Sequence, residues 1–196
     1  MGRIRGAAIL GTVEYLQATF GDDGVRRVRD ALGADTRTVL GRDGASRVIT
    51  TGWYDCSVLI DLTRVADRVC GKGDLALARA AGRYVAFQDL NRFFLWLLKL
   101  STPSTLFSRA ASVWKNYHDC GSYIAESGTD GHAVIRVEDW SSADPVMCKR
   151  IEGWMERALE LTLGKGQRAV IREEAHLRQD AAVGPHRFCR YVAEWS

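Results

Sequence analysis

The sequence has 196 residues, 46% of them hydrophobic and 26% charged, and a formal net charge of +3. A chain of this length and apolar content can bury a core of its own, which excludes an intrinsically disordered protein. Acidic and basic residues are interleaved without a lysine or arginine block, so we expect no nucleic-acid partner. We predict one domain over residues 1–196, with a helical part at about 5–118 and a sheet part at about 119–196.

We expect no targeting signal in the first residues of this sequence. The apolar stretch that begins at Ala7 is short and is interrupted by Glu14, unlike a secretory signal peptide. Gly6 stands where a myristoylation signal requires Ser or Thr. We therefore expect a cytoplasmic protein without a transmembrane segment.

Helical periodicity and its breaks organise the N-terminal third of the chain. An amphipathic helix is predicted over Ala7–Phe20, followed by a glycine-rich break and a short helix over Val25–Leu32. The stretch Ala34–Gly52 has no period and is predicted to be a loop. A further helix opens at Trp53-Tyr54-Asp55, where Asp55 is a good N-cap, and Gly71 closes it.

The segment from Ala78 to Tyr123 is predicted to be the centre of the fold. A long helix leads into Phe93–Leu98, which is apolar on every side. This run is far shorter than the roughly 20 residues that span a bilayer, so we interpret it as a buried core helix. Ser101-Thr102-Pro103 then stops this helix, and its hydroxyl cap followed by proline starts a second helix that continues to Tyr117.

The C-terminal half changes to strand periodicity. Strands are predicted at Asp119–Glu126 and His132–Trp140, joined by a turn, and at Gln167–Arg178 and His186–Trp195. Between the two pairs, Asp144 is predicted to be the N-cap of a helix that has Pro145 at its first position. Hairpin strands with one charged face indicate an α+β fold, with helices on one face of a four-stranded antiparallel sheet.

Several of these residues resemble a known family. The resemblance lies in Gly82-Arg83 with Phe87 and Leu98, in Phe107-Ser108-Arg109-Ala110 with Asn116-Tyr117, and in an end that closes on Tyr191 and Trp195. Over most of residues 5–196 the chain resembles an uncharacterised myxobacterial paralogous family, a domain of unknown function. That family looks like a branch of a fold group that includes heme nitric-oxide-binding domains, 4-vinyl-reductase-like ligand domains and the Bet-type subunits of TRAPP tethering complexes.

The resemblance implies helices packed on a twisted antiparallel sheet, with a cavity between them. It implies small-molecule sensing in signalling, or scaffolding of an assembly, rather than catalysis. Cys70 is placed like the acylated cysteine of the Bet-type subunits, which makes it a candidate acylation site. Heme domains of the group use a helix histidine and a Tyr-x-Ser-x-Arg signature; only His118 lies near a helix end, and that signature is not beside it. We therefore expect no heme and no other cofactor.

The sequence contains no complete motif for metal binding or catalysis. The five cysteines are scattered, and His118 with Cys120 supplies two ligands where a structural zinc needs four. We therefore expect buried cysteines and no metal. Neither a Gly-x-Ser-x-Gly elbow nor a phosphate-binding loop is present, so we expect no catalytic residues and no enzymatic activity.

A ligand cavity is the functional hypothesis that the residues favour. Large side chains from the covering helices and the sheet are predicted to line it: Trp53, Phe93, Trp96, Trp114, Tyr117, Tyr123, Met147 and Trp154. The alternative is that these residues simply fill the core. A second class of function is an interaction module without a small ligand, a homodimer or protein adaptor that uses Trp140, Trp195 and the helix beginning at Ala7.

Overall fold

The computed structural model describes residues 2–41, 45–93, 102–129, 131–163, 166–179 and 186–196. Helices and strands follow each other in the order β1 (Arg3–Arg5), α1 (Gly6–Ala31), α2 (Ala34–Leu40), β2 (Trp53–Asp55), α3 (Cys56–Cys70), α4 (Ala76–Phe93), α5 (Pro103–Tyr117), β3 (Ser122–Thr129), β4 (His132–Glu138), α6 (Pro145–Glu160), β5 (Ala169–Gln179) and β6 (Arg187–Trp195).

The C-terminal half forms a four-stranded antiparallel sheet in the order β3-β4-β6-β5. In β4, Ala133, Ile135 and Val137 are buried while Arg136 and Glu138 are partly exposed, as the alternation predicted, although Val134 on the second face is buried as well. Since successive strand residues point to opposite faces, this pattern directs one face of the sheet to the core. The α+β fold with a four-stranded antiparallel sheet is confirmed.

Helices α4 and α6 pack against each other through two glycines. A Cβ atom on Gly82 would collide with the carbonyl oxygen of Arg150, and one on Gly153 would collide with the carbonyl oxygen of Arg79. The two backbones therefore approach more closely than side chains at these positions would allow. Ala78 also presents only a methyl group along this buried part of α4.

Ion pairs run along the edge of the same helix pair. Arg79 contacts Glu152 and Glu156, and Arg83 contacts Glu156 and Glu160, with Arg83 Nη2 2.9 Å from Glu160 Oε2. Glu152 is fully buried, so leaving its carboxylate without a partner would be costly.

A small second sheet was not predicted. β1 and β2 pair antiparallel with Ile4 opposite Tyr54, and Ile4 forms an isolated bridge to His118. Trp53–Asp55 therefore forms a strand, where the sequence predicted the first residues of a helix. Strands of three residues have no measurable period, and their partners lie far away in sequence.

In the N-terminal third, one prediction is confirmed and another needs correction. The glycine-rich break after Phe20 is present, because Gly21 has non-helical dihedrals (φ 65°, ψ −171°) and divides the span of α1 into two helical segments. The predicted loop over Ala34–Gly52 contains α2, whose Leu40 is buried. A seven-residue helix shows too few turns for its period to be recognised.

The predicted helix caps are confirmed. The side chains of Asp55, Thr102 and Asp144 accept hydrogen bonds from backbone N–H groups of the first turns of α3, α5 and α6, respectively.

The apolar run Phe93–Leu98, which was predicted to be the centre of the core, lies outside the described residues beyond Phe93, the last residue given for α4. Among the helices that the structure describes, none is long and apolar enough to cross a membrane.

Candidate functional site

A cavity lies where helices α1, α4, α5 and α6 meet strand β3. Most of its wall is apolar, with Val85 from α4, Trp114 from α5 and Ile151 from α6 among the lining residues. Its volume is about 80 Å³. A dry cavity of about 150 Å³ holds benzene, so this one accommodates a molecule of a few heavy atoms unless side chains move.

The structure brings together several of the residues predicted to bind a ligand. Those that line the cavity are Trp114, Tyr117, Tyr123, Met147 and Trp154. Trp53 does not line the cavity. Its ring contacts the Arg5 guanidinium instead, whose Cζ lies 3.9 Å from the ring centroid. Phe93 ends α4 without a described side chain, and Trp96 lies outside the described residues.

Arg150 is the charged residue in this wall that sequence analysis overlooked. Its side chain is buried, its Nη2 donates to the carbonyl oxygen of Ala8 at 2.9 Å, and its Nη1 has no hydrogen-bond partner. Burial lowers the pKa of Arg150 to about 10, against the opposing effect of Asp89, so the guanidinium is charged at neutral pH. The signal in the sequence was a charge on the apolar face of α6, three residues after Met147 and four before Trp154.

Tyr117 and Tyr123 supply the hydroxyl groups of the wall. The Tyr117 hydroxyl donates to Asp89 Oδ2 at 2.5 Å, and burial together with the Asp89 charge raises the pKa of Tyr117. The Tyr123 hydroxyl is buried without a partner, and burial raises its pKa as well. Tyr123 is therefore a neutral donor that is free to meet a ligand.

His118 lines the same cavity from the C-terminal end of α5. Its ring is stacked on Trp114 with centroids 4.1 Å apart, and Trp140 meets it edge-on at 5.7 Å. Burial, followed by the charge of Arg150, lowers the pKa of His118 to about 3. The imidazole is therefore neutral at physiological pH, and its Nδ1 has no partner.

The other residues singled out by sequence lie apart from the cavity. Cys70 at the end of α3 is half-buried, its Sγ is 3.9 Å from the Gly24 carbonyl oxygen, and burial raises the pKa of its thiol. Trp140 is only 2% exposed, so the hypothesis that it forms part of a surface aromatic patch is wrong. Trp195 is half-buried and packs on Phe107, with ring centroids 6.0 Å apart.

No protein-family model and no curated protein matches this sequence. Solved structures do match, and they define the fold class as that of the H-NOX domains. The Fe(II) unliganded H-NOX protein from K. algicida superposes with a TM-score of 0.71 at 14% identity, covering 98% of this chain and 96% of that one. The H-NOX protein from S. oneidensis in the Fe(II)NO ligation state gives 0.66 at 14% identity, covering 98% and 99%.

An oxygen-binding H-NOX domain related to soluble guanylate cyclases, in its oxygen complex, gives a TM-score of 0.66 at 10% identity and covers 98% of this chain and 95% of its own. At such identities the likeness establishes the fold and not the ligand. The fold group inferred from sequence is therefore confirmed at the level of architecture.

The names of two of these neighbours refer to Fe(II), and that of a further matching H-NOX structure refers to heme, so the cavity has to be compared with that group. An iron porphyrin in this setting needs a protein ligand to the iron. Among the described lining residues His118 is the histidine, and its ring is covered by Trp114 and Trp140. A porphyrin is far larger than benzene, whereas the cavity of about 80 Å³ is smaller than the roughly 150 Å³ cavity that is known to bind benzene. The described residues do not fit heme.

Proposed function

We propose that this protein is a non-enzymatic sensor that binds a small molecule in the cavity between its helices and its sheet. The ligand has an apolar body and one carboxylate or comparable acceptor group. The single observation that carries this proposal is Arg150, a buried guanidinium whose Nη1 has no partner in an otherwise mainly apolar cavity. The fold likeness to H-NOX domains supports a sensor, since the neighbours' names describe proteins that bind small ligands such as oxygen and NO.

The energetic argument rests on the unpaired donor. A buried hydrogen-bonding group without a partner costs about 1–3 kcal/mol, and more when it is charged. A carboxylate accepts from guanidinium N–H groups in a charge-assisted geometry, which is the stronger kind of hydrogen bond. The Tyr123 hydroxyl, also buried without a partner, offers a second donor from the same wall.

The size and lining of the cavity restrict the apolar part of the ligand. A volume of about 80 Å³ suits a short aliphatic chain. The indole rings of Trp114 and Trp154 and the flexible side chain of Met147 provide the apolar contact surface. Short-chain carboxylates are therefore the probes of choice.

The lining residues support binding rather than turnover. Nucleophilic catalysis requires a Ser or Cys next to a base, and the described wall contains neither residue. Its histidine, His118, lacks a hydrogen-bonded acid on Nδ1. The proposed role is therefore recognition, with the ligand contacting α5 and α6 together.

The test is a titration of the purified protein with straight-chain carboxylates from acetate to octanoate, followed by amide chemical shifts in NMR and by thermal unfolding. Primary alcohols of the same length are the ligand control. We expect saturable shifts around the cavity for one range of chain lengths and weaker binding of the matched alcohol. Arg150→Met keeps the volume of the side chain and removes its charge, so it should abolish the preference for carboxylates.

Arg64→Met is the matched control, because Arg64 is a half-exposed arginine that pairs with Asp144 and lies outside the cavity. It should bind the carboxylates as the unmodified protein does. Equal binding of acids and alcohols, or an unchanged preference in Arg150→Met, would contradict the proposed recognition.

The alternative function is a protein adaptor without a small ligand. Light scattering on a gel-filtration column and native mass spectrometry would show it as a stable homodimer or partner complex with nothing bound in the cavity.

Three further predictions concern the cytoplasmic location, the myxobacterial family and acylation of Cys70. Mass spectrometry of native protein tests the acylation.

A further inference from the structure

Four side chains that can bind a metal ion meet at a place distinct from the ligand cavity. They are Cys148 in the first turn of α6, Glu173 and His176 on β5, and Cys189 on β6. One ligand atom from each lies within 4.8 Å of those from the other three. His176 Nδ1 is 3.4 Å from Cys148 Sγ, 3.9 Å from Cys189 Sγ and 2.9 Å from Glu173 Oε1.

An irregularity in β5 is what brings Glu173 and His176 to one side. Residues three apart in a regular strand point to opposite faces. Here the pairing of β5 with β6 shifts register between Glu173 and Ala175, and again between Ala175 and Arg178. Leu177 has a positive φ of 46° inside this segment. Bulges of this kind re-aim side chains and are over-represented next to functional sites.

The cluster is shielded on one side and reachable on the other. Cys148 and Cys189 are fully buried, while the side chain of Glu173 is 15% exposed and that of His176 is 37% exposed. The main-chain N–H of Glu173 donates to the buried carboxylate of Glu152 at 3.0 Å, which fixes the strand at this point. An ion therefore has an entry path past His176 and a rigid set of sulfur ligands behind it.

We propose that Cys148, Glu173, His176 and Cys189 form a four-ligand site for Zn²⁺ or a similarly soft divalent cation. Thiolate and imidazole ligands select zinc over the hard cations, and four protein ligands describe a closed structural site. Zn–S bonds of about 2.3 Å and Zn–N bonds of about 2.0–2.1 Å at a tetrahedral angle separate sulfur from nitrogen by about 3.6 Å. The two observed distances of 3.4 and 3.9 Å bracket that separation.

Cys148 and Cys189 share a thiol hydrogen bond, which raises the pKa of Cys148 and lowers that of Cys189. Binding of the ion replaces the remaining thiol protons, so up to two protons leave for each ion taken up, and no electron is transferred.

Occupancy of this site would join the start of α6 to strands β5 and β6. The helix then carries two separate functions on two faces, because Met147 and Arg150 face the ligand cavity and Cys148 faces the cluster. Binding to the folded chain alone stabilises it by mass action, so the ion raises the melting temperature in a concentration-dependent way.

The test uses the full chain, reduced and stripped of metal, and titrated with Zn²⁺ against a chromophoric chelator and with Co²⁺ by absorption spectroscopy. We expect one ion per chain. The cobalt protein should show the intense ligand-field bands of a tetrahedral ion and a thiolate-to-cobalt charge-transfer band. Replacing a second-shell partner of a metal ligand weakens binding by about 10- to 100-fold, so losing a ligand should cost at least about 100-fold.

His176→Ala is the decisive variant, because its side chain is partly exposed and its loss leaves the core intact. Cys189→Ser is the second variant, and circular dichroism confirms its folding. His132→Ala and Cys70→Ser are matched controls that remove the same side-chain types outside the cluster and should bind as the unmodified chain does. A stoichiometry below one, a cobalt spectrum without the thiolate band, or unchanged affinity in His176→Ala would overturn the proposal.

Discussion

The indole ring of Trp114 and the imidazole ring of His118 lie nearly parallel, with an interplanar angle of 13° and centroids 4.1 Å apart. The two residues are one helical turn apart, so their rings stack on the same side of α5 where this helix ends. Trp140 completes the group by meeting Trp114 edge-on at 5.1 Å. The imidazole is thus held as an uncharged aromatic ring in the wall of the cavity.

Acid should destabilise the fold through His118. Burial holds its folded pKa at about 3, whereas the unfolded value is near 6.5, so the unfolded state binds more protons between these limits. The contribution of His118 is fully present above pH 6.5 and falls by about 1.4 kcal/mol per pH unit below it. We expect the free energy of unfolding of the unmodified protein to fall by about 2–3 kcal/mol more than that of His118→Phe between pH 6.5 and 4.5.

Chemical denaturation at a series of pH values measures this difference. Asp55 and Asp119 have pKa values lowered by hydrogen bonds, and they act in the same direction at lower pH in both proteins. Subtracting the two curves therefore isolates His118. Parallel curves over this range would show that the buried imidazole does not control acid stability.

Alanine at the crossing of α4 and α6 should destabilise the protein. The Cβ of Gly82→Ala would meet the Arg150 carbonyl oxygen, and backbone cannot move aside as a flexible side chain can. We expect a loss of about 1–3 kcal/mol, the usual cost of overpacking. Thermal and chemical unfolding measure it.

Gly128→Ala is the matched control for this change. The nearest atom to a Cβ at Gly128 is the His132 carbonyl oxygen at 3.9 Å, an ordinary van der Waals contact, and Gly128 lies in β3 without a positive φ. The control should be neutral or more stable by about 0.4–1 kcal/mol, because alanine restricts the unfolded chain. Equal effects of the two substitutions would show that the close helix approach does not matter.

Removal of the Glu152 carboxylate should be among the costlier substitutions. Glu152 is fully buried, accepts from Lys149 Nζ at 2.8 and 2.9 Å and from the main-chain N–H of Glu173, and faces Arg79. Glu152→Leu leaves these donors unmatched, and we expect a loss of about 3–5 kcal/mol in the free energy of unfolding. Urea denaturation measures it.

Glu194→Leu tests whether the cost arises from burial. The Glu194–Arg172 pair is about half exposed on both sides, and such pairs contribute about 0–1 kcal/mol. If both leucine variants lost the same stability, the burial of Glu152 would not explain its contribution.

The N-cap of α6 should stabilise the helix that carries both proposed sites. Asp144 Oδ1 accepts from the Val146 N–H at 2.9 Å, and the carboxylate also pairs with Arg64. Asp144→Ala should cost about 0.5–2 kcal/mol, whereas Asp144→Asn keeps the cap and should cost less. Thermal unfolding of the two variants separates the cap from the ion pair, and an equal loss in both would assign the effect to the charge.

Sequence by itself determined the features that depend on neighbouring residues. The caps at Asp55, Thr102 and Asp144 were predicted because a polar side chain before an apolar periodic run satisfies the free N–H groups of a first turn. The alternation of Ala133, Ile135 and Val137 likewise predicted the buried face of β4 and, with the other strands, the antiparallel sheet. The aromatic side chains predicted for a cavity were recognisable by their size alone.

Only the tertiary structure decided which distant residues meet. Arg150 reaches the carbonyl oxygen of Ala8, 142 positions away, and β1 pairs with β2 across two intervening helices. Cys148 and His176 come together because β5 departs from regular pairing, which no periodicity in the sequence indicates. Local patterns follow from the geometry of one helix or strand, whereas contacts between elements depend on the packing of the whole chain. The proposed chemistry of this protein resides in those long-range contacts.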